Sequence, residues 1–195
     1  MSKSSLAGLA LFALSIPFSF AASPVVPRPA NDLVIHLPSG ETTKLANYKG
    51  KVLAVDFLLT TCPHCQAASR LMTKIRQDLK PRGFDAIGVA LNQGAQNLVA
   101  DFSKNFQISF PVGWADPYAA YGFLQLTPGK DRVLFPQMVL IDRSGTIRYQ
   151  SPIQGDEMVV NESDLRQHIE ALLGSRRSTR SARGVSAAVH AASHR

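Results

Sequence analysis

The alternation of apolar and polar positions outlines a strand, a helix and a second strand in the middle of the chain. Residues 52–59 and 84–91 are short and almost wholly apolar, which is typical of strands buried on both faces of a sheet. Between them, apolar positions recur at spacings of three and four, as on one face of a helix: Cys65, Ala68, Leu71, Met72, Ile75 and Leu79. The pattern predicts a helix that begins at Pro63 and ends before Pro81.

Three further elements are predicted on the C-terminal side. Residues 95–105 indicate a second helix, whose apolar face would consist of Leu98, Val99, Phe102 and Phe106. The apolar runs 137–141 and 146–149 flank Arg143-Ser144-Gly145 and predict an antiparallel hairpin. Residues 161–173, with Gly174 just beyond, predict a closing helix.

The segment between the second helix and the hairpin has a weaker pattern. Its aromatic residues Tyr118, Tyr121 and Phe123 are expected in the core. Residues 124–134, which contain Pro128-Gly129, predict a long loop. Two interpretations of this loop stay open, since it could shape the choice of partner or form a neutral surface insertion.

The two ends of the chain differ from the middle in composition. Met1-Ser2-Lys3, the apolar stretch up to Phe20 and the small residues Ala21-Ala22 are typical of a secretory signal peptide, so we expect residues 1–22 to be removed. A retained membrane anchor is the alternative, but the stretch is shorter than about 20 residues and Pro17 interrupts it. Residues 175–195 contain five Arg and no acid, and predict a disordered basic tail.

Most of the net charge of +7 comes from the two ends of the chain and little from the predicted domain between them. Of the 21 Lys and Arg, six lie outside residues 23–174, whereas all 14 Asp and Glu lie inside, so this predicted domain is almost neutral. The high isoelectric point is therefore no argument for a specific nucleic-acid partner. We expect at most a weak contact of the basic tail with a membrane surface.

The candidate chemistry lies in Cys62-Pro63-His64-Cys65, which contains the only two cysteines of the chain. Two thiols separated by two residues at a strand-to-helix junction can alternate between dithiol and disulfide. Cys62 falls at the helix N-terminus, where unpaired amides and the helix dipole favour a thiolate, and a protonated His64 would add to this effect. Cys62 is the predicted nucleophile, and Cys65, one turn inside the helix, is the predicted resolving thiol.

Three other uses of a cysteine pair fit the sequence less well. A structural zinc site needs four ligands, and the chain has no second cysteine pair and only scattered histidines. Covalent haem attachment needs a His directly after the second Cys, where Gln66 stands. A purely structural disulfide would close so short a loop that it would restrict the unfolded chain very little. We expect no metal and no other cofactor.

Several segments together resemble one known family. Asp56, six residues before Cys62, stands in an apolar strand as the buried acid of thioredoxin-like proteins does. Residues 45–52 and 136–145 are similar to the TlpA/ResA-like branch of exported thiol-disulfide oxidoreductases. The resemblance covers roughly residues 31–173. It implies an α/β, thioredoxin-like fold in which helices flank a central mixed sheet, with an N-terminal hairpin and a central αβ insertion.

The resemblance also implies roles for residues near the cysteine pair. Asp56 would accept the proton of Cys65, through a water, when Cys65 attacks a mixed disulfide. Burial in an apolar strand would raise the pKa of this carboxyl toward neutrality. Pro136 would be the family's cis-proline, and Phe135 and Thr61 would lie beside the bound partner chain.

Some positions depart from the family pattern. Thr61 stands where Trp is usual, and Phe135 stands where Thr or Val is common. The dipeptide Pro63-His64 is that of the oxidising DsbA-like branch, whereas the rest of the chain resembles the reducing branch. Because a stabilised thiolate makes a disulfide more oxidising, Pro63 and His64 are predicted to raise the reduction potential, and the direction of electron flow stays open.

The sequence thus predicts an exported, periplasmic or extracellular enzyme, a monomeric protein-disulfide oxidoreductase. It would exchange the Cys62/Cys65 pair with thiol- or disulfide-containing proteins of the cell envelope, and its upstream redox donor is left open. A peroxiredoxin-like peroxidase would need Thr three residues and Pro seven residues before its reactive cysteine, where Leu59 and Val55 stand. A non-catalytic binding module is the other main alternative. A copper-handling protein is disfavoured by the cysteine spacing.

Overall fold

A computed structural model describes residues 24–174 of the protein, and these residues form one eight-stranded mixed sheet with helices on both faces. The strands run in the order β1-β8-β7-β4-β5-β6-β2-β3. Their bounds are β1 Arg28–Pro29, β2 Val34–His36, β3 Thr42–Lys44, β4 Val52–Leu58, β5 Phe84–Ala90, β6 Val112–Trp114, β7 Gln137–Ile141 and β8 Thr146–Gln150.

Four α-helices and three short 3-10 turns connect the strands of this part of the chain. The helices are α1 Pro63–Leu79, α2 Ala95–Asn105, α3 Pro117–Phe123 and α4, residues 162–174. The 3-10 turns span Leu45–Tyr48, Lys80–Arg82 and Glu157–Val160. The predicted helices at Pro63 and Ala95, the predicted hairpin β7-β8 and the closing helix are confirmed, the last of these one residue later than expected.

The central strand β4 is buried over its whole length, as its apolar run predicts. It pairs in parallel with β5 and antiparallel with β7, which confirms the mixed sheet. The antiparallel pair β2 and β3 confirms the N-terminal hairpin. The thioredoxin-like α/β fold implied by the resemblance is therefore the fold of this chain.

The two faces of β4 contribute to two separate apolar cores. Ala54 and Leu58 pack with α1, α2 and α4, whereas Val55 and Phe57 pack with α3 on the other side of the sheet. Because side chains alternate along a strand, Asp56 faces the same side as Ala54 and Leu58. This register places a carboxyl beneath α1, the helix that carries the cysteine pair.

Two predictions about the core are wrong. Tyr118 is 75% exposed and Leu98 is 39% exposed, although both were expected to be buried. In α3 the buried positions are Ala120 and Phe123, and the ring of Phe123 packs on Phe57 with centroids 5.6 Å apart. Tyr118 falls outside this spacing of three. Leu98 directly precedes the buried Val99 but faces outward, because only one narrow side of α2 packs against the sheet.

The predicted signal peptide, residues 1–22, and the predicted basic tail, residues 175–195, lie outside the described residues. Within residues 24–174, none of the helices combines the length and the apolar character that a membrane crossing requires.

Candidate active site

Cys62 sits at the junction of β4 and α1, where it caps the N-terminus of the helix. Its backbone is extended, Pro63 follows as the first helical residue, and its Sγ accepts a hydrogen bond from the backbone N–H of Cys65 at 3.4 Å. Cys62 is half-buried, and both cysteines are free thiols. The Cys62 sulfur therefore receives a backbone donor and still faces the surface, as a nucleophile requires.

Cys65 lies behind Cys62 and is completely buried. The backbone N–H of Leu59 points at its Sγ from 3.5 Å. Burial raises the pKa of the Cys65 thiol, and the nearby Asp56 and Cys62 act in the same direction. The two thiols thus differ sharply, because the outer one is partly exposed whereas burial favours the protonated form of the inner one. In a reaction of Cys65 as a nucleophile, a base would have to remove this proton.

Asp56 provides a candidate for that base. Its carboxyl is completely buried on the α1 face of β4, and burial raises its pKa from 3.8 to about 7. The hydroxyl of Ser69 donates a hydrogen bond to Oδ2 at 2.8 Å, which opposes part of that rise. Oδ1 has no hydrogen-bond partner among the described residues. An acid with a pKa near neutrality can both accept and return a proton under physiological conditions.

The peptide bond between Phe135 and Pro136 is cis, which confirms the prediction from the resemblance. The thiol of Cys62 donates to the carbonyl oxygen of Phe135 at 3.8 Å, so the cis-proline loop lies directly against the outer sulfur. The ring of Phe135 is partly buried and contacts both cores. The backbone of Phe135 and Pro136 therefore lies beside the sulfur of Cys62.

The turn between β4 and α1 is held by amide side chains. The amide oxygen of Asn92 accepts from the backbone N–H of Thr60 at 2.9 Å, and the side chain of Gln66 donates to the carbonyl of Thr60 at 3.2 Å. Thr61 and His64 are exposed on either side of Cys62. The predicted site residues therefore lie around the cysteine pair, with Thr61 and His64 exposed at its rim.

A groove of about 700 Å³ runs from this site along the surface. One bank is formed by His64 and the cis-proline loop, and the other by residues 154–161. Sequence reasoning missed this second bank, because residues 154–161 have no apolar period and no catalytic motif. It also missed Ser69, although its spacing of four from Cys65 placed both on one helix face and could have identified it.

The loop 124–134 begins in the apolar core on the α3 side of the sheet and ends beside the cysteine pair. Leu124 and Leu126 are buried beneath the sheet, so the loop is not a surface insertion along its whole length. Its last residue, Leu134, is 53% exposed and lines the groove, while its backbone N–H donates to the carbonyl of Ile153 at 2.8 Å. The end of the loop is therefore bonded to the residue that directly precedes the second bank.

Within residues 24–174 no three His, Cys, Asp or Glu side chains come together as a metal site would require.

Comparisons with known proteins agree with this geometry. The thiol-disulfide oxidoreductase ResA of Geobacillus thermodenitrificans is 23% identical over 150 residues, which cover 73% of this chain and 75% of that protein. Protein DipZ of Mycobacterium bovis is 30% identical over 126 residues, which cover 63% of this chain but only 17% of DipZ. The chain therefore matches a small part of DipZ and most of ResA.

One solved structure is matched over almost its whole length. The thiol:disulfide interchange protein of the thioredoxin family from Chlorobium tepidum TLS is 27% identical, with a TM-score of 0.63, and the match covers 77% of this chain and 99% of that one. The family model described as Redoxin matches residues 26–169, which include the cysteine pair, Asp56 and the cis-proline loop. Since this match spans most of the chain, the protein belongs to the Redoxin family, within its thioredoxin-like, TlpA/ResA-like branch.

Proposed function

We propose that this protein is an exported thiol-disulfide oxidoreductase that exchanges the Cys62/Cys65 pair with partner proteins through a mixed disulfide. The observation that carries the proposal is the pairing of a half-buried Cys62, capped by an amide and lying against the cis-proline loop, with a fully buried Cys65 one turn behind it. The names of ResA and of the Chlorobium tepidum protein support the same activity.

In the reductive direction, the Cys62 thiolate attacks one sulfur of a partner disulfide. A bond forms between Cys62 Sγ and the partner, and the other partner sulfur leaves as a thiolate that takes up a proton. Cys65 then gives its proton to Asp56 and attacks Cys62 Sγ. The second partner thiol is released, the enzyme is left with a Cys62–Cys65 disulfide, and two electrons have passed to the partner. The oxidative direction is the reverse.

Asp56 suits the proton transfer because burial raises its pKa to about 7. The raised pKa of Cys65 keeps that thiol protonated, so the second attack needs a base close to it. With a pKa of about 7, Asp56 is partly ionised at neutral pH and can take the proton, either directly or through a water. A carboxyl with its ordinary pKa would be a much weaker base.

The partner chain is proposed to lie along the cis-proline loop. The backbone of Phe135 and Pro136 is close to Cys62, so an extended partner segment placed there would bring its own sulfur near Cys62 Sγ. Thr61 and His64 would contact the partner from the exposed rim, and Pro63 and His64 would tune the potential. The partners would be thiol- or disulfide-containing proteins of the cell envelope.

Export rests on the sequence of residues 1–22, which has the charge, apolar stretch and small residues of a signal peptide. We propose a mature, monomeric protein with one domain, residues 23–174, followed by a basic extension, residues 175–195.

A trapping experiment tests the assigned roles. Cys65→Ser should accumulate covalent adducts with partner proteins or with a model disulfide peptide, because the mixed disulfide then lacks its resolving thiol. Cys62→Ser should form none, and the double variant is the matched control. Equal trapping by the two single variants would overturn the assignment, and failure of the native protein to reduce insulin or to oxidise a reduced peptide would favour a binding module instead.

The reduction potential of the pair decides the direction of electron flow. A value near about −120 mV would indicate an oxidant and a value near about −270 mV a reductant, since about 30 mV corresponds to a tenfold change in the equilibrium of a two-electron couple.

A further inference from the structure

The structure places a second polar group beneath the cysteine pair. We propose that Ser69 is a positioning residue that holds the Asp56 carboxyl by Oδ2 and thereby directs the transferred proton to Oδ1. This inference rests on the proposed function, because it assigns to Ser69 a part in the step in which Cys65 resolves the mixed disulfide.

The helix α1 brings Ser69 to this position. Residues four apart lie on the same helix face, so Cys65 and Ser69 are stacked one turn apart and both point toward β4. Asp56 lies beneath them on the central strand, and all three side chains are completely buried. One helix face therefore carries the thiol that loses the proton and the hydroxyl that holds its acceptor.

The hydrogen bond has one direction. The hydroxyl of Ser69 donates to Asp56 Oδ2 at 2.8 Å. A helical Ser commonly donates instead to the carbonyl oxygen four residues earlier, as Ser103 does to Val99 at 2.9 Å in α2. The hydroxyl of Ser69 has only one proton, so its donation to Oδ2 commits it to the carboxylate.

The other carboxyl oxygen is left open. Oδ1 of Asp56 is buried and has no hydrogen-bond partner among the described residues. The negative charge of a carboxylate is shared by both oxygens, and in the neutral acid the carbonyl oxygen is the better hydrogen-bond acceptor. The hydrogen bond from Ser69 favours the protonated form in which Oδ2 is that carbonyl oxygen. Protonation is therefore directed to Oδ1, and the carboxyl cannot rotate freely between its two oxygens.

The remaining neighbours of Asp56 do not provide a competing charge. From α1, the titratable groups on its side are Cys65 and, beyond it, Cys62, while Lys74 and Arg76 are bonded to Glu162 and Asp85. The other elements that pack on this face present uncharged residues: Gly88 on β5, Met138 on β7, Val99 on α2, Met158 and Val159 on the last 3-10 turn, and Leu165 and Ile169 on α4. Ser69 is thus the one polar side chain that bonds to the carboxyl among those described.

Loss of the hydroxyl should make Asp56 a worse acceptor at neutral pH. The hydrogen bond favours the ionised carboxylate, so its removal raises the pKa of Asp56 above its present value of about 7. Hydrogen bonds to charged groups are strong enough that a rise of about one pH unit is expected. At pH 7 the ionised fraction of Asp56 would fall from about one half to about one tenth, and the resolving step would slow about fivefold.

The resolving step can be followed separately from the first attack. When the reduced protein reacts with a chromogenic aromatic disulfide, the attack by Cys62 releases one coloured thiolate, and the attack by Cys65 on the mixed disulfide releases a second. The rate of the second phase, measured between about pH 5 and about pH 9, reports the ionisation of the proton acceptor. In Ser69→Ala its midpoint should move up by about one pH unit, while the first phase stays unchanged.

Two controls accompany this variant. Ser69→Thr keeps a hydroxyl and should keep the midpoint of the native protein. Ser103→Ala, which removes the hydroxyl of another helical Ser, should change neither phase. The carbon-13 shift of the Asp56 carboxyl, titrated in Ser69→Ala and in the native protein, gives the same comparison without turnover.

The outcomes separate this inference from the proposed function. If Asp56→Asn alters the second phase but Ser69→Ala leaves its midpoint and the carboxyl titration unchanged, the positioning role is overturned and the proposed function stands. If Asp56→Asn itself leaves the pH profile of the second phase unchanged, Asp56 is not the acceptor and both assignments fail. A second phase that persists in Cys65→Ser would refute the resolving role of Cys65.

Discussion

Ionisation of Asp56 should lower the stability of the folded protein as the pH rises. The carboxyl lies wholly inside the apolar core, and this burial raises its pKa from 3.8 to about 7. Between these values the folded state keeps a proton that the unfolded state has released, so the free energy of unfolding falls as the pH increases. Below about pH 4 both states are protonated, and above the folded pKa the full penalty is present.

The size of the effect follows from the two pKa values. One pKa unit corresponds to about 1.4 kcal/mol, so the ionised carboxylate costs about 4 kcal/mol of folding free energy once the pH exceeds its folded pKa. About 3 kcal/mol of this loss should fall between about pH 5 and about pH 8. Asp56→Asn removes the titrating proton but keeps the shape of the side chain and an oxygen that can accept from Ser69.

Urea denaturation of the reduced protein at these two pH values measures the effect, with the fluorescence of Trp114, the only tryptophan, as the probe. The stability of Asp56→Asn relative to the native protein should increase by about 3 kcal/mol from the lower pH to the higher one. Any fixed cost of the buried amide cancels in this comparison. Asp101→Asn, on the exposed side of α2, controls for the loss of a surface carboxylate. A difference between variant and native protein that is the same at both pH values would refute the reasoning.

Two further predictions concern the scaffold around the site, and urea denaturation tests both. A Cβ atom added at Gly113 would lie 2.1 Å from the carbonyl oxygen of His36, so Gly113→Ala should lower the free energy of unfolding by about 1–3 kcal/mol. Gly122→Ala, whose Cβ meets open space on α3, should raise the free energy of unfolding by about 0.5–1 kcal/mol. A Gly113→Ala variant as stable as the native protein would contradict this prediction. Burial alone would raise the pKa of Asp85, but hydrogen bonds from Lys51 and Arg76 hold it below its ordinary value. Because solvent screens the half-exposed Lys51, Asp85→Asn should cost about 1–3 kcal/mol at neutral pH. This stabilisation is lost as the pH falls through the folded pKa, so a variant whose deficit grows toward acid pH would contradict the ion-pair argument.

The strand–helix–strand centre of the fold could be predicted from the sequence because local patterns determine it. Residues 52–58 are apolar except for Asp56, and the stripe on α1 recurs at helical spacing, so both elements were identified with their observed starts. The prediction of a redox-active pair was based on the two residues that separate Cys62 from Cys65. The cis bond at Pro136 could be anticipated only from the resemblance, since most X-Pro bonds are trans.

The groove could not be predicted because it depends on contacts between distant parts of the chain. The side chain of Gln137 donates to the carbonyls of Leu134 and Pro152 at 2.7 and 3.0 Å, which ties the cis-proline loop to the segment after β8. Farther along that segment, Asp156 accepts a hydrogen bond from the hydroxyl of Tyr149. None of these residues has a local pattern that identifies its partner, so the second bank of the groove appears only in the folded chain.

In the proposed mechanism, the order in which the two sulfurs act is independent of the direction in which electrons flow. Burial would decide the order, because Cys65 lies inside the core and only Cys62 reaches the surface beside the Phe135 carbonyl. Every mixed disulfide would then form at Cys62, whether the partner is being reduced or oxidised. The direction would depend instead on how strongly the reduced form is stabilised, and we expect the backbone donor at Cys62 and the exposed His64 to contribute to this from outside the core. Since these two sets of groups are separate, we expect a substitution of His64 to change the reduction potential and to leave the proposed proton acceptor and the proposed resolving thiol in place.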